Sequence, residues 1–369
     1  MRPAFVEVDL NNLKHNLLQI RKHCQNRPIM AIVKANAYGH GLVKIAQLYE
    51  KLGVNCLGVA LLEEGICLRK SGVTIPIAVF GGVLAHQIQE FLEWELEFFV
   101  TSEEILRLVE GTCKSLSKRA EVHIKIDSGM GRIGTHSSES ACFIKKVLNT
   151  ENILIKGVCS HLACSEDPKN PFTLKQLERF LKAVSVFESL GATIPVRHLA
   201  NSGGVLYFPE THLDMIRPGI LLYGVYPDAS SPRVLDIKPA LQLKSKVTFQ
   251  KSIKPGMSVS YGATWTSIRE SEISTIPLGY ADGYPRHLSN RGKVLIKGKL
   301  RSIVGRICMD QLMVNCENES TKIGEDVTLI GGQNGKIIRV EELSTLAETI
   351  PYEILTNLNT RLPRIYVNG

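Results

Sequence analysis

The stretch IMAIVKANAYGHG, residues 29–41, sets five apolar residues directly against a lysine. An apolar run that short suits a strand buried on both faces, so Ile29–Val33 is expected to be a parallel core strand with Lys34 at its carboxyl end. The texture recurs at Leu57–Ala60, Ile77–Phe80, Glu97–Val100, Val122–Ile126, Leu154–Cys159, Val196–Leu199 and Asp214–Arg217, making eight runs in all. Between them lie segments of helical period: Leu42–Leu52, Glu63–Lys70, Leu84–Trp94, Ser102–Glu110, Glu139–Leu148 and Thr173–Leu190, several opened by Ser or Thr. Eight such units predict an α/β fold of the (β/α)8 TIM type rather than an open doubly wound sheet.

After about Leu235 the texture changes to alternating strands separated by Gly, Pro and Asn: LQLKSKVTF, ISTIPL, KVLIKGKLRSIVGRI, LMVNC and DVTLI. A helix over Val340–Thr349 and the closing RLPRIYV complete a mainly β domain. The expected division is therefore a barrel over 1–235 and a β-domain over 236–369, with the first ~10 residues as candidates for packing on the β-domain.

The formal charge of +8 is spread along the chain without a basic run, which excludes the usual footprint of nucleic-acid or membrane binding and still favours small anions. Nine cysteines occur without CxxC pairs or Cys/His ligand spacing, so no metal site is expected, and free thiols suit a reducing cytosol. MRPAFVEVDL has no signal-peptide pattern and no stretch is long and apolar enough to span a bilayer, so a cytoplasmic protein is expected.

In such barrels the chemistry lies at the carboxyl ends of the strands. Here those ends deliver Lys34, Asn36 and Tyr38; Asp127 and Arg132; Ser160 and His161; Asn201 and Ser202; and Arg217 before Gly219 and Ile220. A lysine leaving an apolar strand is partly desolvated, which lowers its pKa and frees the amine for Schiff-base chemistry. Backbone amides after runs seven and eight are where barrels frequently bind phosphate. A lysine amine facing a phosphate cradle suggests pyridoxal 5'-phosphate (PLP).

AIVKANAYGHG closely resembles the PLP-lysine signature of alanine racemases. KIDSGMGRIG, SHLACSED, HLANSGG, DMIRPGILLYG, VSYGATW, PLGYADGYPR, VGRICMDQ and PYEILTNLNTRLPRIY resemble that family's further blocks, in order along essentially the whole chain. The resemblance implies that Lys34 carries PLP, with Tyr38, Asn201, Ser202, Gly219, Ile220 and Tyr352 around it, mostly at the phosphate. It places Arg217 at the pyridine nitrogen, His161 in a hydrogen bond to Arg217, and Arg132 at the cofactor's phenolic oxygen and the substrate carboxylate. Tyr261 and the Met309 backbone would act in the site of a second copy, which implies a homodimer with shared active sites. Tyr280, Arg286, Arg306 and Asp310 match residues of the substrate entrance, and Lys125 matches a position carbamylated in several members. LACSEDPKN after His161 departs slightly from the commoner spacing before the acidic residue, which leaves the entrance role of Asp167 open.

Racemisation removes the Cα proton from one face and returns one to the other, and two bases suffice. The resemblance assigns these to Lys34 and Tyr261. A free phenol has a pKa of about 10, so Tyr261 needs nearby cations, which Arg132 and the His161–Arg217 pair would supply. A guanidinium only donates, so Arg217 should leave the pyridine nitrogen unprotonated and disfavour transamination. The expected activity is interconversion of L- and D-alanine, supplying D-alanine for peptidoglycan. A serine or broad-specificity racemase, a non-catalytic PLP-binding protein and a barrel decarboxylase remain as alternatives. Tyr352 favours a small substrate pocket, the β-domain argues against the non-catalytic reading, and Arg217 argues against the decarboxylase.

Overall fold

Seven of the eight apolar runs form one parallel sheet in chain order: Met30–Ile32, Cys56–Val59, Ile77–Val79, Glu97–Val100, Ala120–Asp127, Ile153–Cys159 and Val196–His198. The computed structural model that shows this describes residues 2–369. The eighth run, Asp214–Arg217, forms isolated parallel bridges instead of a ladder, Met215 with His198 and Ile216 with Ile29. Those bridges close the ring into a (β/α)8 barrel. Met30 N donates to Ile216 O (2.9 Å) and Ile32 N to Pro218 O (3.1 Å), but Pro218 has no N–H to return, so regular pairing stops there. A bidentate pair between Arg197 and Asp214 (2.7 and 2.8 Å) ties the seventh strand to the eighth run.

Helices Leu42–Lys51, Leu62–Lys70, Glu103–Leu116, Ser140–Leu148 and Phe172–Val184 follow strands one, two, four, five and six. The expected helix Leu84–Trp94 breaks into a 3-10 turn, Ala85–Gln87, and a short helix, Ile88–Glu93. Ser102 caps its helix, Oγ accepting from Ile105 N at 3.3 Å. Thr173, the other expected opener, lies buried inside the helix that Pro171 begins.

The segment after Lys34 is the least ordinary backbone in the barrel. Ala35, Asn36, Ala37 and Tyr38 all have φ between 51° and 55°, a left-handed turn built without glycine. At about 1–2 kcal/mol per residue such a turn costs on the order of 4–8 kcal/mol, so its surroundings must hold it. Glu64 does much of this: Oε1 accepts from Ala35 N (2.6 Å), and Oε2 from Ala60 N (2.8 Å) and Leu61 N (3.2 Å). Asn36 closes the far side, its Oδ1 accepting from Leu42 N at 2.8 Å.

Contacts divide the chain into two units. One, Leu18–Ala37 with Gly41–Leu222, is the barrel; the other comprises the chain up to Leu17, Tyr38–His40 and Tyr223–Gly369. The second unit thus begins ahead of the textural change after Leu235, since Ala240 N already donates to Tyr223 O at 3.1 Å. Its main sheet runs Phe249–Ile253, Ser271–Ile276, Leu312–Asn315, Lys299–Ile303, Lys293–Ile296, Asp326–Gln333, Leu241–Lys246, Phe5–Asp9, Arg364–Val367. The first strand of the chain joins this sheet because Val6 and Val8 alternate inward and are fully buried, while Phe5, Glu7 and Asp9 stay half-exposed. Among the described residues no helix is long and apolar enough to cross a membrane, and all nine cysteines are free.

Candidate active site

The barrel unit gathers Lys34, Lys125, Arg132, His161, Ser202 and Arg217 at the carboxyl ends of its strands. Lys34 is half-buried, and its amine makes no hydrogen bond among the described residues. Burial lowers its pKa, Arg132 and Arg217 push in the same direction, and Glu64 opposes them in part. Lys125 is deeper, 6 % exposed, and burial reinforced by Arg217 and Arg132 brings it down to about 8, against the opposing pull of Cys159 and Asp127. His161 is held well below the usual imidazole range by burial and the surrounding cations, Lys125 first among them.

Arg217 is 3 % exposed and ordered by its neighbours. Nη2 donates to Ser160 O (2.8 Å) and Leu199 O (3.1 Å) and lies 3.4 Å from His161 Nδ1. Nη1 donates to His198 O and lies 3.0 Å from His198 Nδ1. Among the described residues nothing accepts from Nε. A buried guanidinium with four protons occupied and the fifth unpaired is suited to donate one hydrogen bond to a bound acceptor.

Arg132 is exposed on a loop that Asp127 folds, its carboxylate accepting from Gly129 N (2.8 Å) and Gly131 N (3.0 Å). Ser202 Oγ accepts from Gly219 N at 3.0 Å, which brings the loops after strand seven and run eight together beside buried Ile220. Asn201 is already employed in holding this corner, Oδ1 accepting from Gly204 N (3.1 Å) and from Ser165 Oγ (2.6 Å).

The β unit holds the remaining candidates. Tyr38 stacks on Tyr223 at 5.0 Å between ring centroids and lies 6.0 Å from the ring of Tyr352. Tyr261 is 70 % exposed on a loop with left-handed Ser260 and Ala263. Ser260 Oγ donates to Arg306 O (2.5 Å), Tyr280 N to Cys308 O (3.1 Å) and Arg361 Nη2 to Asp310 Oδ1 (2.6 Å), so Tyr261, Tyr280, Arg306, Met309 and Asp310 share one region of this unit. Gly279 is needed there: a Cβ would lie 2.2 Å from Cys308 O and 2.4 Å from Met309 O. Arg286 is exposed on an adjoining turn, tied in by Ile307 N donating to Ser289 Oγ at 3.0 Å.

Sequence reading passed over Glu64, Glu97, His123 and His198. The two histidines carry a faint signal, each standing inside a run, VHIKI and VRHL, otherwise read as a strand.

The residues of the barrel unit fit PLP. Lys34 offers an amine whose pKa burial lowers, Arg217 a donor at Nε that is unpaired among the described residues and suits an aromatic nitrogen, and the Ser202 hydroxyl with the Ile220 N–H donors for a phosphate. Family models for the alanine racemase N-terminal and C-terminal domains match residues 8–227 and 240–366. The chain is 41% identical to the alanine racemase of Carboxydothermus hydrogenoformans over 369 residues, covering 100% of both proteins. Among solved structures, the alanine racemase of Clostridium difficile 630 gives a TM-score of 0.93 at 36% identity, covering 100% of this chain and 96% of that one. Alanine racemase from Bartonella henselae with covalently bound pyridoxal phosphate gives 0.91 at 30% identity, covering 100% of both chains.

Proposed function

The chain belongs to the alanine racemase family, and from that premise we propose that it interconverts L- and D-alanine with PLP held at Lys34, supplying D-alanine for peptidoglycan. The observation that carries this reading is the conjunction, at one end of the barrel, of a lysine amine whose pKa burial lowers and a buried Arg217 whose Nε–H has no acceptor among the described residues.

When bound, PLP supplies a conjugated ring that withdraws electrons and so acidifies the Cα–H of alanine. The Ser202 hydroxyl and the Ile220 amide would bind the phosphate, while Arg132 would meet the phenolic oxygen and the substrate carboxylate. Arg217, which cannot surrender its Nε proton, would hold the ring nitrogen as an acceptor, so that the proton leaving Cα would be returned to Cα. Lys34 Nζ handles that proton on one face of the substrate. Tyr261 Oη of a second copy handles it on the other, a role supported by the exposure of Tyr261 and the absence of any hydrogen-bond partner for its hydroxyl among the described residues. A homodimer with two composite sites follows.

The alternatives make different predictions. Purified protein with PLP, offered a panel of L-amino acids and read by chiral chromatography, should racemise alanine fastest. Comparable or faster turnover of serine would establish the broader racemase, and no turnover despite bound PLP would establish a binding protein.

A further inference from the structure

The barrel interior holds a line of buried polar side chains of which the mechanism uses only the last. Glu97, His123, His198 and Arg217 are 4, 2, 0 and 3 % exposed. Glu97 Oε2 lies 2.9 Å from His123 Nε2, His123 Nδ1 lies 2.9 Å from His198 Nε2, and His198 Nδ1 lies 3.0 Å from Arg217 Nη1. At the far end half-exposed Lys156 approaches Glu97 Oε1 to 4.0 Å.

The two imidazoles belong to strands five and seven, so they meet across strand six, which passes between them as Gly157. A Cβ at 157 would lie 2.5 Å from His123 Nδ1 and 2.9 Å from His198 Nε2. Any side chain there would obstruct the link. Phe99 stacks on His123 at 5.0 Å and confines the ring.

The ends of the line dictate its protons. A guanidinium only donates, so His198 Nδ1 must accept, and the ring then carries its one proton on Nε2. That proton points at His123 Nδ1, which must also accept, leaving His123 to donate from Nε2 to the Glu97 carboxylate. Burial and the charge of Arg217 hold His198 well below the usual imidazole range, in keeping with a neutral ring. Reversing either tautomer would set donor against donor or acceptor against acceptor in a low-dielectric interior.

Among the described residues Arg217 touches no carboxylate; its other partners are carbonyls and His161. We propose that Glu97, as the acceptor that fixes the neutral tautomers of His123 and His198, is the positioning residue that turns the Nε–H of Arg217 toward the cofactor ring. The two intervening imidazoles keep the negative charge out of the strand-end cluster, so the field of Arg217 there stays positive for anionic ligand groups while its plane is held from behind. The link to the cofactor ring rests on the role proposed above for Arg217; the tautomer assignment does not.

The test combines ¹⁵N NMR of the histidine rings with kinetics of the PLP-loaded protein. In the wild type, His123 and His198 should both show Nδ1 unprotonated and Nε2 protonated. Glu97→Gln keeps an acceptor and should preserve that pattern with kcat for alanine within about threefold. Glu97→Leu removes the acceptor and should scramble the tautomers and lower kcat at least tenfold with KM within twofold. Gly157→Ala, which leaves all four side chains present, should act as the Leu variant does and serves if the latter fails to fold. A Leu or Ala variant with wild-type ring signals, or with scrambled tautomers and unchanged kcat, overturns the proposal. A wild type that shows the tautomers but racemises nothing would instead overturn the functional reading.

Discussion

Lys125→Met tests the electrostatics of the barrel interior directly. Lys125 is 6 % exposed and its pKa falls from an ordinary 10.5 to about 8, with burial the largest cause. That difference is worth roughly 3 kcal/mol, because each pH unit corresponds to about 1.36 kcal/mol. The folded pKa lies below the unfolded one, so between about pH 8 and 10.5 the unfolded chain holds a proton that the fold does not, and wild-type stability from this residue rises with pH. Below about pH 8 the fold carries the full cost. Buried thiols work in the opposite sense: Cys56 and Cys24 are raised by burial, and they lower stability as pH climbs past the ordinary thiol range. The informative quantity is therefore the difference between wild type and a Met variant of similar length, measured by urea unfolding in carbonate-free buffer. Met should be more stable by roughly 3 kcal/mol at pH 7, and the gap should close by about pH 10.5. Bicarbonate supplies a second arm, since carbamylation needs the neutral amine and should stabilise the wild type alone. A gap that stays constant with pH would show that Lys125 is solvated or otherwise compensated, and the argument from burial would fail.

Glu64→Ala strips three backbone amides of a carboxylate acceptor and should cost about 2–4 kcal/mol, with hydrogen exchange at Ala35 accelerating before the global rate; unchanged exchange there would mean the left-handed turn is held elsewhere. Borohydride reduction of the PLP-loaded protein should place the pyridoxyl group on Lys34, and a label on Lys125 or Lys44 would remove the centre of the proposed mechanism. Mixed Lys34→Ala and Tyr261→Ala subunits should regain activity if sites are composite, whereas no recovery after proven exchange counts against sharing. Tyr261→Phe should leave one face of the substrate exchanging, so L- and D-alanine should differ in solvent deuterium uptake; equal uptake would exclude the two-base assignment.

What the sequence made legible follows from what a local pattern can encode. Parallel core strands read as short, mainly apolar or β-branched runs that tolerate an occasional polar residue, and seven of the eight runs of that texture became strands. The eighth reads equally well, yet its ladder ends where Pro218 lacks a donor, a consequence of which neighbours it meets rather than of its own composition. Lys34 and Arg217 stand out because their chemistry is costly at the end of an apolar run. What holds them is silent. Ala35 and Ala37 have no preference for left-handed backbone, and the carboxylate that fastens the turn comes from Glu64, on the helix after the second strand. Glu97 sits in EFFV as an unremarkable strand position until the ring closure brings His123 and His198 into line with it. In each case the reactive group is named by a motif and its support by topology, because a chemical group must be one of a few residue types whereas a strained turn or a fixed tautomer can be held by any partner the fold delivers. The residues hardest to read are thus those whose replacement should alter the orientation of Lys34 or Arg217 without removing either.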